Sequence, residues 1–441
     1  MNDIVNNIFI LMVATVICLL CAIVYALCVL RRLKKKSMSC INCRERYNKS
    51  NKVSSKQEIY LNTNSTLKQK HGQYNQSDNM YPENIKYAQE AETFKSKIRK
   101  LIGANDDDEI IFMGSCSEAM ASVFHWISTM VPYGIICGTP YDHKTVKENA
   151  QLYGLAYNDD ALKNKSLPDL TAGIILTHVN PTTGEILDIE NYMNLLSQYR
   201  YIDEMTDNDN VYGSSKLLQH RPVVMLDATQ SIGKVNILMH GHKQQIDVVM
   251  ASLHKLGFPL NFSGVLVLNA SVKEQYVPLI AGAQQGGLRG GSYSLSPLIE
   301  NMELLDHRDD RKKRKAKWEN SVKYLRDRGL NVYTPEGDHL YNTILVDTNN
   351  HCTLELIETL ADKHGIYVGN KTACANEFNK TTGKVEEKPL YGGTKSKDLK
   401  PFDNSVRISF IDPSALDDKS LRIIADEISS TMNKDDSDET E

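Results

Sequence analysis

Val248-Val249-Met250-Ala251-Ser252-Leu253-His254-Lys255 is a short apolar run that stops at a cluster of polar side chains. A run of that length, rich in β-branched residues and unbroken by polar ones, reads as a strand buried on both faces. The same pattern recurs upstream. Val223-Val224-Met225-Leu226 stops at Asp227, Ile174-Ile175-Leu176 stops before His178 and Asn180, Ile135-Ile136 before Asp142 and His143, and Ile110-Ile111-Phe112 before Gly114-Ser115-Cys116-Ser117. Between the runs lie segments with apolar residues at helical spacing, such as Ser117 to Met130 and Ile189 to Tyr199. Buried strands alternating with helices predict an α/β protein on a mainly parallel sheet. Such sheets bind ligands beyond the carboxyl ends of their strands, where each polar cluster falls. Taken alone, each cluster also has an ordinary reading as a turn, a helix cap or a solvated strand end.

With 441 residues, 41% hydrophobic and 24% charged, the chain is long enough for one large domain or two ordinary ones. Its net charge of -4 gives no basic footprint, so no nucleic-acid partner is expected. Residues 8–30 are uncharged and rich in Ile, Val, Leu and Ala, enough to cross a hydrocarbon layer of roughly 30 Å as one helix. The rival reading is a cleaved secretory signal with Val24 and Ala26 at its cleavage site; Asp3, and the lack of Lys or Arg before the run, argue against it. Arg31, Arg32, Lys34, Lys35 and Lys36 follow directly, and positive charge is retained on the cytoplasmic side. The expectation is a single-pass membrane protein held in the lipid by a transmembrane helix over 8–30, with its body in the cytosol. A basic juxtamembrane linker over 31–57 and an acidic tail over 433–441 would flank that body. The nine cysteines are scattered rather than arranged as a disulfide framework, which suits a reducing cytosol and leaves Cys374 available for chemistry. Cys40 and Cys43 have the spacing of a metal-binding or redox pair, yet no companion His or Cys stands nearby and such cysteines are equally acylation sites. No metal is expected.

Further motifs complete the series: Tyr60-Leu61-Asn62-Thr63-Asn64-Ser65-Thr66, Asn180-Pro181-Thr182-Thr183-Gly184, Leu226-Asp227-Ala228-Thr229-Gln230-Ser231, Gly282-Ala283-Gln284-Gln285-Gly286-Gly287-Leu288-Arg289-Gly290-Gly291-Ser292, Val368-Gly369-Asn370-Lys371-Thr372-Ala373-Cys374-Ala375 and Val406-Arg407-Ile408-Ser409-Phe410. By order and spacing, from Tyr60 to Phe410, these resemble the NifS-like cysteine desulfurases of the class V aminotransferase family. The resemblance implies a fold-type I pyridoxal-phosphate-dependent architecture. Its mainly parallel seven-stranded sheet would lie in a cofactor-binding large domain over 58–300, and a smaller α+β C-terminal domain over 301–432 would carry the catalytic cysteine loop. It also implies pyridoxal 5'-phosphate as cofactor, with Lys255 as its covalent attachment point.

The resemblance assigns further roles. Ser117, Ser252 and His254 would contact the phosphate, and a helix N-terminus suits that anion. His143 would stack on the pyridine ring and move protons. Asp227 would pair with the ring nitrogen and keep it protonated, while Gln230 and Asn180 would hold the ring hydroxyl. Arg407, with Asn64, would take the substrate carboxylate, for which guanidinium geometry is suited. Cys374 would be the thiolate that accepts sulfur from L-cysteine and passes it to a sulfur-acceptor protein. Ser292 would reach the phosphate of a second subunit, implying a homodimer. The motif departs from the family pattern at Asn62, Pro181, Gly286, Asn370 and Lys371. Two alternatives therefore stand beside the desulfurase: another class V aminotransferase or lyase reaction, and a membrane-anchored cofactor-binding scaffold without turnover.

Overall fold

Ile110 and Phe112 point to one side of their strand and Ile111 and Met113 to the other, and all four are buried. Val224 and Leu226 alternate with Val223 and Met225 in the same way, as do Val249 and Ala251 with Val248 and Met250. The period of two sends each apolar run into two separate cores, so helices must cover both faces of the sheet. The computed structural model describes residues 59–61, 85–139, 141–201, 217–260, 263–292, 295–306, 311–349, 353–370, 376–379, 384–387, 404–410 and 412–432. The chain divides into two units, 1–57 and 58–441, and every described residue lies in the second.

The central sheet has seven strands: β1 (Glu109–Met113), β2 (Ile135–Cys137), β3 (Ala156–Asn158), β4 (Thr171–Thr177), β5 (Val223–Asp227), β6 (Val248–Ser252) and β7 (Gly264–Leu268). Their spatial order is β1-β7-β6-β5-β4-β2-β3. Strands β2 to β6 pair in parallel, whereas β7 runs antiparallel to both β1 and β6. Helices α1 (Ile85–Ile102), with Phe94, Ile98 and Ile102, and α4 (Ile189–Leu196), with Met193 and Leu196, fill the core on one face. On the other lie α2 (Cys116–Met130), with Met120, Val123, Phe124 and Ile127, and α3 (Lys144–Leu152), with Val146 and Ala150. The result is a three-layer α/β/α sandwich.

A third core belongs to the C-terminal part. Strands β8 (Thr343–Asp347), β9 (Gly369–Asn370) and β10 (Ser405–Ser409) form an antiparallel sheet in the order β8-β10-β9. It packs with α5 (Arg311–Asp327), α6 (Thr353–His364) and α7 (Asp418–Met432) through Trp318, Val322, Leu356, Leu360, Leu421 and Ile424. The short strand Ile59–Tyr60 pairs in parallel with Ile366–Tyr367 and carries Leu61 into this core.

The fold class expected from the sequence needs one correction. Among the described residues no helix is long and apolar enough to cross a membrane. Residues 8–30 themselves lie outside the described residues. The described residues form the α/β fold alone, and no transmembrane helix is among them.

Candidate active site

The carboxyl ends of β5 and β6 and the amino end of α2 meet at one edge of the sheet. Ser115 caps α2: its hydroxyl accepts the Glu118 amide at 3.1 Å, as a serine at a helix start commonly does. The next amide, that of Cys116, donates to Ser252 Oγ at 2.9 Å, so the end of β6 is tied to the helix. The Ser252 amide donates to Thr229 Oγ1 at 3.3 Å, and the Thr229 amide donates to Asp227 Oδ1 at 2.9 Å. One chain of hydrogen bonds thus links the β1–α2 turn, the end of β6 and the end of β5. This close meeting needs Gly264: a Cβ there would fall 2.5 Å from the carbonyl carbon of Ser115.

Lys255 lies immediately past Ser252, in the single 3-10 turn Leu253–Leu256, which Gly257 ends with φ +98. Lys255 and His254 are half-buried. Cys116 reports how close these groups are. Its thiol sits 4.0 Å from Asp227 Oδ1. Burial and the negative charge of Asp227 push the thiol well above its ordinary pKa, against smaller opposing effects of Thr229 and Lys255. Asp227, Ser252 and the start of α2 therefore meet at Cys116, and Lys255 follows three residues after Ser252, with its charge acting on the same thiol.

Three more clusters line the same edge. His143 caps α3, and its Nδ1 accepts the Thr145 amide at 3.3 Å. The same Nδ1 lies 2.7 Å from the Thr145 hydroxyl, a contact whose donor and acceptor follow the ring's tautomer. Beside it, buried Asp142 accepts from the Thr139 amide (3.0 Å) and from the hydroxyls of Thr139 (2.6 Å), Thr177 (2.6 Å) and Tyr157 (3.0 Å). Burial nonetheless outweighs these donors and raises its pKa to about 6. Asn180, past the end of β4, turns its Oδ1 back onto the amides of Thr182 and Thr183 at 2.8 and 3.3 Å. Arg407, buried on β10, reaches across to donate through Nη1 to the carbonyl of Pro181 at 3.4 Å. The C-terminal sheet thereby delivers its guanidinium to the edge of the main one.

Ser117, Asn180, Asp227, Gln230, Ser252, His254, Lys255, His143 and Arg407 thus fall along this edge. Ser292 is exposed at the end of the loop Gly282–Ser292. Cys374 and Asn64 lie outside the described residues. Sequence reasoning did not single out the Cys116 thiol, Thr229, or the partners of Glu118. The only signal for Cys116 was its place at the first position of a helix directly after a strand.

The edge has the features that a phosphorylated pyridine needs. Ser117 is exposed at the second position of α2, where neither its hydroxyl nor its amide takes a hydrogen bond among the described residues. Asn180 Nδ2 is buried and makes no hydrogen bond among them, although a buried amide normally finds a partner. Asp227 is a buried carboxylate whose Oδ2 likewise takes no hydrogen bond there. Half-buried Lys255 acts electrostatically on the same Cys116 thiol as Asp227. Among the described residues no group of three His, Cys, Asp or Glu side chains could hold a metal ion.

The aminotransferase class-V family model matches residues 53–287, just over half of the chain. This protein belongs to the class V aminotransferases, whose members depend on pyridoxal phosphate. Within that class its fold is that of the NifS-like proteins. A structure named as a NifS-like protein covers 85% of this chain and 100% of its own, with a TM-score of 0.63 and 20% identity. A cysteine desulfurase of Thermococcus onnurineus NA1 gives 85%, 94%, 0.60 and 16% for the same four measures. SspA in complex with cysteine covers 80% of this chain and 99% of its own, at 0.56 and 18%. At these identities the likeness is one of fold. No curated protein sequence matches the chain.

Proposed function

We propose that this chain is a NifS-like cysteine desulfurase, which takes sulfur from L-cysteine, releases alanine and leaves the sulfur as a persulfide on Cys374. The observation that carries the reading is the convergence of Asp227, Lys255, Ser252 and the amino end of α2 around Cys116. A NifS-like neighbour and one bound to cysteine support the choice of substrate.

Ser117 and the first amides of α2, with Ser252 and His254, would hold the cofactor phosphate. Lys255 would hold its aldehyde carbon, Asp227 its ring nitrogen, and Gln230 with Asn180 its ring hydroxyl. Bound there, pyridoxal phosphate supplies an electron sink for negative charge at the substrate α-carbon. Asp227 would keep a proton on the ring nitrogen by its negative charge. Arg407 would pair with the substrate carboxylate through two parallel hydrogen bonds, fixing the amino acid against the sheet edge. His143, held through Nδ1 against Thr145, would move protons through its other ring nitrogen. The Cys374 thiolate would attack the substrate sulfur, so that the carbon–sulfur bond breaks as the sulfur–sulfur bond forms. An acceptor protein then takes the persulfide sulfur. The same proposal includes a homodimer, with Ser292 of the exposed loop reaching the second subunit's cofactor phosphate.

The test is to add pyridoxal phosphate and L-cysteine to the purified chain and measure visible absorbance, alanine and sulfide. Lys255→Ala should lose the absorbance of the lysine-bound cofactor, and Cys374→Ser should keep it while losing alanine formation. Unchanged alanine formation by Cys374→Ser overturns the desulfurase reading. Cofactor absorbance in the wild type without turnover leaves a cofactor-binding protein in its place.

A further inference from the structure

We infer that Glu118 and Arg289 are positioning residues that tie the Gly-rich loop Gly282–Ser292 to the turn opening α2, so that phosphate binding at that turn and ordering of the loop are coupled. The inference rests on the cofactor reading above and adds to it the residues that make the phosphate turn able to accept an anion.

Glu118 uses both carboxylate oxygens. Oε2 accepts the Gly114 amide at 2.8 Å, and Oε1 accepts Arg289 Nε at 2.9 Å. The contact to Gly114 is close enough that a Cβ on residue 114 would lie 2.5 Å from Oε2. The side chains of Arg289 and Glu118 are only 11% and 22% exposed, so water and salt screen this pair less than an ordinary surface pair. Arg289 Nη1 also donates to the Gly290 carbonyl at 3.0 Å and fixes the loop's own backbone.

The loop has a second attachment. The side-chain amide of Gln285 accepts the Phe112 N–H at 2.7 Å and donates to the Phe112 carbonyl at 2.9 Å, acting as a short extra strand on β1. Gln285 thus holds the strand before the turn, and Arg289 holds the helix after it. Between the two lies Gly114–Ser117, the segment assigned to the phosphate.

Electrostatics gives the pair its purpose. Glu118 stands in the first turn of α2, where a carboxylate favours the helix but repels a bound phosphate. Arg289 neutralises that charge without taking Glu118 away from Gly114. Losing Arg289 should therefore free the loop and leave an unpaired negative charge beside the phosphate. Losing both charges should remove the repulsion yet leave the loop free. Because the coupling is reciprocal, cofactor binding should order the loop to the extent that the loop favours cofactor.

The experiment compares the wild type with Arg289→Ala, Arg289→Lys, Glu118→Gln and the Glu118→Gln/Arg289→Ala double variant. Pyridoxal phosphate affinity is measured by absorbance titration, and cleavage of the loop by limited proteolysis before and after the cofactor is added. Unfolding of each variant without cofactor checks that the fold is intact. Arg289→Ala should bind cofactor at least about tenfold more weakly, corresponding to 1.4 kcal/mol, and should lose the protection of the loop by cofactor. The double variant should regain most of the affinity but not the protection, and Arg289→Lys should lie between wild type and Arg289→Ala. Affinity and protection unchanged in both Arg289 variants overturn the inference. A wild-type chain that takes up no cofactor sinks the cofactor reading itself, and this inference with it.

Discussion

Gln285 holds a left-handed backbone, φ +50, to bring its amide against Phe112. A carboxylate at this position could accept the Phe112 amide but could not donate to its carbonyl. Gln285→Glu should therefore destabilise the chain by about 1–3 kcal/mol, the range for a hydrogen-bonding group left facing an acceptor. Denaturant unfolding should show Gln285→Glu to be less stable than Gln285→Ala, which merely releases both backbone groups. A glutamate variant as stable as the wild type would show that the double contact contributes nothing. This contact was invisible in the sequence because its partners are 173 residues apart. The same holds for Arg407 and Pro181, 226 residues apart. Ser252, Lys255 and Asp227 were legible because each ends an apolar run, so strand periodicity alone put them at one edge.

Among elements, the start of α2 depends on a neighbour that has no side chain. Gly264 opens β7 and pairs with Met113 of β1 and Ser252 of β6, directly beneath the Ser115 turn. Gly264→Ala would drive its Cβ into backbone that is pinned by the Ser115 cap and the Cys116–Ser252 bond. The expected loss is about 1–3 kcal/mol of stability, the range for overpacking a tight site, together with weaker cofactor binding. Unfolding and cofactor titration check both; an alanine variant with wild-type stability and affinity refutes the constraint. The strands themselves were legible because burial on both faces produces continuous apolar runs. The reversed direction of β7 was not, since Val265 to Leu268 has the same pattern as its parallel neighbours. Direction is set instead by the connection from Ser252 to Gly264, which is too short to carry a crossover helix.

For the molecule as a whole, two buried groups near the sheet edge act on stability in opposite directions over nearly the same pH range. Burial raises Asp142 from 3.8 to about 6, so the folded chain holds a proton that the unfolded chain has lost, and stability falls as pH rises through that window. Burial lowers His178 from 6.5 to about 4, so the unfolded chain binds the extra proton, and stability rises with pH between about 4 and 6.5. Each shift corresponds to an order of 3 kcal/mol, and the two should largely cancel in the wild type. Asp142→Asn removes the falling contribution, so its stability relative to the wild type should increase as pH is raised from about 4 to 6. His178→Gln removes the rising one, so its relative stability should decrease over the same interval. Chemical denaturation of the three chains across these pH values measures both slopes directly. The argument depends on their opposite signs rather than on either variant's absolute stability, because Asp142→Asn also disturbs the contacts from Thr139, Thr177 and Tyr157. If both differences stay flat with pH, the two groups titrate alike in the folded and unfolded chains, and burial at this edge does not control their protons.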